Sequence, residues 1–105
     1  MIKLAIDLGS WVTKIYKAGC GVVLAEPTCA AVEQLPGSGS YTVKFLGEKA
    51  RALSGRSAQN THIINPVVDG DIVQPEIVAR LLSYFLGEIE ISPRRARRTE
   101  VIFVL

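Results

Sequence analysis

Ile2-Lys3-Leu4-Ala5-Ile6-Asp7-Leu8-Gly9-Ser10-Trp11-Val12-Thr13-Lys14-Ile15-Tyr16-Lys17 opens the chain, and its reading decides the fold. Residues 2–6 form a short, mostly apolar run that ends at Asp7-Leu8-Gly9-Ser10, the pattern of a buried strand entering a turn. Residues 12–17 then alternate, with β-branched side chains among them, and read as a second strand. The link between the two is short enough for a hairpin.

Outward from that hairpin, Gly19-Cys20-Gly21 turns the chain into Val22-Val23-Leu24-Ala25. Pro27 lacks an amide donor, so a bulge or strand break is expected there. The apolar run Cys29-Ala30-Ala31-Val32 follows. Pro36-Gly37-Ser38-Gly39-Ser40 is a hairpin tip leading to Tyr41-Thr42-Val43-Lys44-Phe45-Leu46. A short helix is predicted over 48–53, then polar loop over 55–62, then extended chain from His62 to a turn at Asp69-Gly70. Pro75 suits the first position of a longer helix, Glu76 favours its positive end, and Ile77/Val78, Leu81/Leu82 and Phe85/Leu86 give it one apolar face. Gly87 is a plausible stop, with an end one turn later as the alternative. After a polar, basic connection, Val101-Ile102-Phe103-Val104-Leu105 reads as a strand covered on both faces. The order predicts an α/β fold, a mixed β-sheet with flanking helices, in one unit spanning 1–105.

Composition bounds the function. The 105 residues are 49% hydrophobic and 21% charged, which excludes disorder, and no stretch approaches the roughly 18 apolar residues of a membrane span. No basic-then-apolar leader precedes the first strand, which points away from secretion. Cys20 and Cys29 are too few for a disulfide scaffold and read as two buried, reduced thiols. The net charge of +2 is local: residues 1–93 carry eight basic and nine acidic groups, whereas 94–105 carry Arg94, Arg95, Arg97 and Arg98 against Glu100. That distribution argues against a nucleic-acid-binding surface. The basic run, preceded by Ile89 and Ile91, reads as a solvated loop or as a contact to anionic lipid. His62 is the sole histidine, so neither a His-based triad nor a multi-histidine metal site can form within the chain, and it reads as a loop or edge-strand residue.

Chemistry concentrates in the first turn. Gly9 permits close backbone approach to an anion, adjacent amides can cradle phosphate oxygens, and the Ser10 hydroxyl adds a donor. Lys14 brings a compact positive charge, and Asp7 at the strand end suits Mg²⁺ held through water. Taken alone, an Asp-Xaa-Gly turn reads first as an ordinary hairpin, since such turns abound between strands.

The wider pattern narrows this. Ile6-Asp7-Leu8-Gly9-Ser10 through Lys14-Ile15-Tyr16 resembles the first phosphate-binding motif of the actin/heat-shock-chaperone/sugar-kinase superfamily. Val22-Val23-Leu24-Ala25-Glu26-Pro27-Thr28, Leu46-Gly47-Glu48-Lys49-Ala50, Leu53-Ser54-Gly55-Arg56, Asn65-Pro66-Val67-Val68-Asp69-Gly70-Asp71-Ile72 and Leu81-Leu82-Ser83-Tyr84-Phe85-Leu86 resemble its MreB-like bacterial actins. The Glu-Pro-Thr and Pro-Xaa-Xaa-Asp-Gly pieces are the specific ones. The resemblance implies an RNase H-like, actin-like ATPase subdomain, the N-terminal piece of a longer two-domain protein. It further implies ATP and Mg²⁺ as cofactors, self-association into filaments, a role in cell shape, and a cytoplasmic or membrane-associated location. Asp7 would face the Mg²⁺-bound phosphates, and the Gly9 and Ser10 amides with the Ser10 hydroxyl would contact the terminal phosphates.

Three positions depart from or modify that pattern. Val12 stands where these proteins usually place Asn, Lys14 falls where eukaryotic actins carry a phosphate-binding lysine, and Trp11 is bulkier than the usual small residue and crowds the phosphates. The family's second phosphate loop, its adenosine contacts and its water-positioning acid have no counterpart within 1–105, so no catalytic residue is assigned. One wall of a cleft leaves phosphate contacts open to water and screening. The chain alone is therefore expected to bind ATP weakly or not at all and not to hydrolyse it. The alternatives are an RNase H-like metal-dependent nuclease, which needs several converging carboxylates besides Asp7, and a non-catalytic actin-like interaction module.

Overall fold

The computed structural model describes residues 2–55, 60–91 and 99–104. Strands β1 (Ile2–Leu8), β2 (Val12–Lys17) and β3 (Gly21–Pro27) form an antiparallel meander, and β9 (Thr99–Val104) joins it parallel to β1. The strand order of this sheet is β3-β2-β1-β9. A second, antiparallel sheet has the order β5-β4-β6, built from β4 (Ala30–Gln34), β5 (Tyr41–Leu46) and β6 (Thr61–Ile64). Helix α1 (Glu48–Arg51) follows β5. The hairpin of β7 (Val67–Val68) and β8 (Asp71–Ile72) precedes α2 (Pro75–Glu88). The mixed sheet with flanking helices agrees with the sequence reading.

Side-chain alternation assigns the faces. Leu4, Ile6 and Leu8 of β1 and Thr13 and Ile15 of β2 point inward and are buried. Leu4, Ile6, Ile15 and Leu24 pack against Ile77, Leu81 and Phe85 of α2 and against Ala30 and Val32 of β4. One core thus joins both sheets through α2. Ala31, on the opposite face of β4, packs with Cys29 and Ala50 of α1.

Two expectations are corrected. Residues 101–104 do not form a strand covered on both faces: Ile102, Phe103 and Val104 are 61%, 54% and 51% exposed. The cause is position, because β9 is an edge strand and α2 lies against one face of its sheet. Cys29 is buried, but Cys20 lies in the β2–β3 turn and is exposed, so the thiols are not a buried pair. Pro27 ends β3, as expected of a residue without an amide donor, and the bulge falls instead at Ile15/Tyr16. His62 sits on the edge strand β6. The basic cluster at Arg94, Arg95, Arg97 and Arg98 lies outside the described residues.

Helix α2 runs through Gly87 and ends one residue beyond it. Its termination is a Schellman motif: Ile91 N–H donates to Leu86 O (2.8 Å), and Glu90 N–H donates to Gly87 O (3.1 Å). Glu90 supplies the left-handed residue with φ 65°, and Ile91 is buried in the core just past it. The core-seeking isoleucine fixes where the helix stops, which is why a non-glycine residue holds this conformation.

The end of α2 also meets the corner where β3 passes to β4. Glu26 Oε1 accepts a hydrogen bond from Glu48 N–H at the start of α1 (3.0 Å). A Cβ on Gly47 would collide with that same oxygen and come within 3.0 Å of the Phe85 ring, and Gly47 holds φ 63°. Burial pushes the Glu26 carboxyl up to about 7, reinforced by a hydrogen bond to the Glu88 carboxyl on α2. Glu88 moves the other way, lowered by that bond and by another from the Tyr84 hydroxyl. The two carboxyls are thus pushed apart, Glu26 towards its protonated form and Glu88 towards its ionised form.

Two outcomes follow from these junctions. Glu90→Gly removes the strain of a left-handed side chain and raises stability by about 0.5–1 kcal/mol in urea denaturation. Around Glu26 the folded state keeps a proton that the unfolded state loses above about pH 4.5, so stability falls as pH rises towards 7. Solvent screening limits this to on the order of 1 kcal/mol. Urea midpoints for the wild type should therefore drop between about pH 5 and about pH 8, and Glu26→Gln should remove most of that drop.

Candidate functional site

The tip of the β1–β2 hairpin is Ser10-Trp11. Gly9 N–H donates to Val12 O (3.1 Å), and a Cβ on Gly9 would lie 2.6 Å from that oxygen. Only glycine allows the strands to close this tightly. The same bond commits the Gly9 amide to the hairpin. Among the described residues, no acceptor engages the amides of Ser10 and Trp11, so these are the donors left to a ligand.

Asp7 and Lys14 are directly opposed in the β1–β2 register and share the face of the sheet turned away from α2. Asp7 is half-buried and Lys14 exposed. Neither charged group forms a hydrogen bond or ion pair with a described residue. A lysine and a carboxylate at a strand end therefore stand side by side, with no described partner for either charged head. Val12 and Tyr16 occupy the same face and are exposed, and so do Ile102 and Val104 of β9. Thr13, between them in sequence, faces the core instead, where its hydroxyl is hydrogen-bonded to that of Thr28 at 2.7 Å.

Each residue of the tip is braced from a different part of the chain. Ser10 Oγ accepts from Gly70 N–H (3.4 Å), which brings the β7–β8 turn onto the hairpin. Asp69 there holds φ 51° and Gly70 φ 81°. Trp11 O accepts from Thr28 N–H (2.8 Å) and from Arg51 Nη2 (3.4 Å). The Arg51 guanidinium also lies 4.8 Å from the centroid of the Trp11 ring, within cation–π range. Beneath it, burial pushes the Cys29 thiol up, with Arg51 pulling it in the opposite sense. That thiol donates weakly to Gly47 O at 3.6 Å and is a packing residue, not a nucleophile.

The sequence reading brought Asp7, Gly9, Ser10, Trp11 and Lys14 together, and the structure places all five at the hairpin. It missed Thr28, Arg51 and Gly70. Local spacing could not reveal them, since they lie 15 to 60 residues from Thr13, Trp11 and Ser10, to which they are hydrogen-bonded. Among the described residues no group of three or more His, Cys, Asp or Glu side chains converges as a metal cage. No described helix is long and apolar enough to cross a membrane.

Comparison with known proteins gives a consistent result. The chain matches the family model described as MreB/Mbl protein over residues 1–104. It is 35% identical over 89 residues to the cell shape-determining protein Mbl of Bacillus cereus, a match covering 85% of this chain and 26% of that protein. It is 34% identical over 86 residues to the cell shape-determining protein MreB of Escherichia coli K12, covering 82% of this chain and 25% of the relative. The chain therefore spans about a quarter of the length of these relatives. Among solved structures it is similar to MreB5 of Spiroplasma citri bound to ADP, with a TM-score of 0.71 at 20% identity, covering 98% of this chain and 37% of that one. The same protein bound to AMPPNP superposes with a TM-score of 0.72. The fold is thus that of an actin-like subdomain, and the chain belongs to the MreB/Mbl family.

Proposed function

We propose that this chain forms the N-terminal, phosphate-binding wall of an MreB-like cytoskeletal ATPase that takes part in determining cell shape. The observation that carries the reading is the pair of unengaged Ser10 and Trp11 amides at a tight hairpin tip, beside the free heads of Asp7 and Lys14. The solved relatives described as bound to ADP and AMPPNP support a nucleotide as the ligand.

In this reading the two amides donate to phosphate oxygens, and Lys14 adds a positive charge on the same side. Gly9 shapes the turn without donating to the ligand. Asp7 fits an outer-sphere role towards Mg²⁺, because its carboxylate is half-buried, unpaired among the described residues and at the end of the central strand. Mg²⁺, when bound, neutralises charge on the phosphates. The polar cradle lies on an open sheet face, so its hydrogen bonds compete with water and its charges are screened. Phosphate hydrolysis, filament assembly by self-association, a cytoplasmic location and contact with an anionic membrane surface through Arg94, Arg95, Arg97 and Arg98 belong to this proposal for the longer protein.

Titration calorimetry of the chain with Mg-ATP should give no saturable binding in the micromolar range, and micromolar affinity would contradict the single-wall argument. In a chimera that joins this chain to the remaining segment of the E. coli MreB relative, ATP binding should be restored. There Lys14→Ala should weaken it about tenfold, equivalent to about 1.4 kcal/mol. An unchanged affinity removes Lys14 from the site.

A further inference from the structure

Trp11 is the only tryptophan of the chain, it is 68% exposed, and it occupies the second position of the hairpin tip. An indole so exposed can fold across the two amides beside it. The structure holds it against Arg51. Arg51, the last residue of α1, grips Trp11 at two points: its guanidinium lies over the ring at 4.8 Å, and its Nη2 donates to the Trp11 carbonyl at 3.4 Å. The same carbonyl is fixed from behind by Thr28 N–H at 2.8 Å. A planar guanidinium can stack on a ring and reach a carbonyl together, which an ammonium cannot.

We infer that Arg51 is a positioning residue of the phosphate turn: by pinning Trp11 towards α1 it keeps the Ser10 and Trp11 amides open to a phosphate group. This rests on the reading of the turn as a phosphate site. It also resolves the crowding expected of a tryptophan at this position, because the indole is drawn towards α1 and away from an unrestrained path over the tip. Arg51 adds a second consequence. It places a permanent positive charge against the tip, so an arriving polyanion meets cations from two elements, α1 and β2. Because α1 packs through Ala50 on the β4 layer, the grip also links the second sheet to the phosphate turn.

Trp11 reports on its own position. Steady-state anisotropy of the indole, measured without ligand on the whole chain, reads the grip. Its emission during titration with millimolar inorganic triphosphate reads the site. In Arg51→Gln the anisotropy should fall and the triphosphate concentration for half-change should rise about two- to fivefold, the scale of an exposed cation–π contact. Arg51→Lys, which keeps the charge but not the stack, should recover part of the triphosphate response and little of the anisotropy. Unchanged anisotropy in Arg51→Gln would overturn the grip. A fall in anisotropy with an unaltered triphosphate response would overturn the positioning role while leaving the phosphate reading standing. A wild type whose emission ignores triphosphate would overturn the phosphate reading, and this inference with it.

Discussion

Between Glu26 and Cys29 the chain leaves one sheet and enters the other, and the buried hydroxyl bond between Thr13 and Thr28 ties that corner to the first hairpin. Both threonines are fully buried, so each hydroxyl needs the other: removing one leaves its partner unsatisfied at a cost of about 1–3 kcal/mol. Around this pair the corner makes a set of bonds that no single element could supply. Thr28 N–H holds the Trp11 carbonyl, Glu26 holds the first amide of α1, and Cys29 O accepts from Gly47 N–H. Pro27 fits between them because β3 is an edge strand, where a missing amide donor on the outer side breaks no ladder bond.

The candidate site inherits its shape from that corner. Trp11 is anchored by it directly, and α1, which carries Arg51, is anchored by it through Glu26 and Gly47. Ser10 takes its support from the Gly70 turn instead. A two-residue hairpin tip is thereby held from three directions while its own amides stay available. Opposed to this rigid frame is an open sheet face carrying Val12, Tyr16, Ile102 and Val104 beside Asp7 and Lys14. The polar groups can be pre-arranged for phosphate and still bind it weakly, because geometry alone does not exclude water.

Much of the fold was readable in local pattern. The alternation of residues 12–17 and the four-residue repeat from Ile77 to Phe85 rest on side-chain periodicity, and the Pro36–Ser40 tip on its turn-forming residues, all of which neighbours along the chain determine. The reading went astray where tertiary position decides. The run at 101–104 is apolar enough for a central strand, yet it sits at an edge. Helix α2 passes Gly87 because Ile91, not a glycine, closes its end. At the site, the residues within one hairpin were legible from their chemistry. Their supports were not: an arginine on a short helix, a threonine after a proline and a glycine in a distant turn carry no local mark of the partner each will meet.

In the proposed reading, the tip of the first hairpin receives a nucleotide's phosphates. Amide-resolved NMR of the chain during titration with Mg-ATP tests it most directly. Progressive shifts are expected at Ser10 and Trp11 in the millimolar range, with smaller ones at Lys14 and Gly70 and none at His62 on the far edge of the second sheet. Shifts that bypass Ser10 and Trp11, or that are largest away from the hairpin, would contradict it.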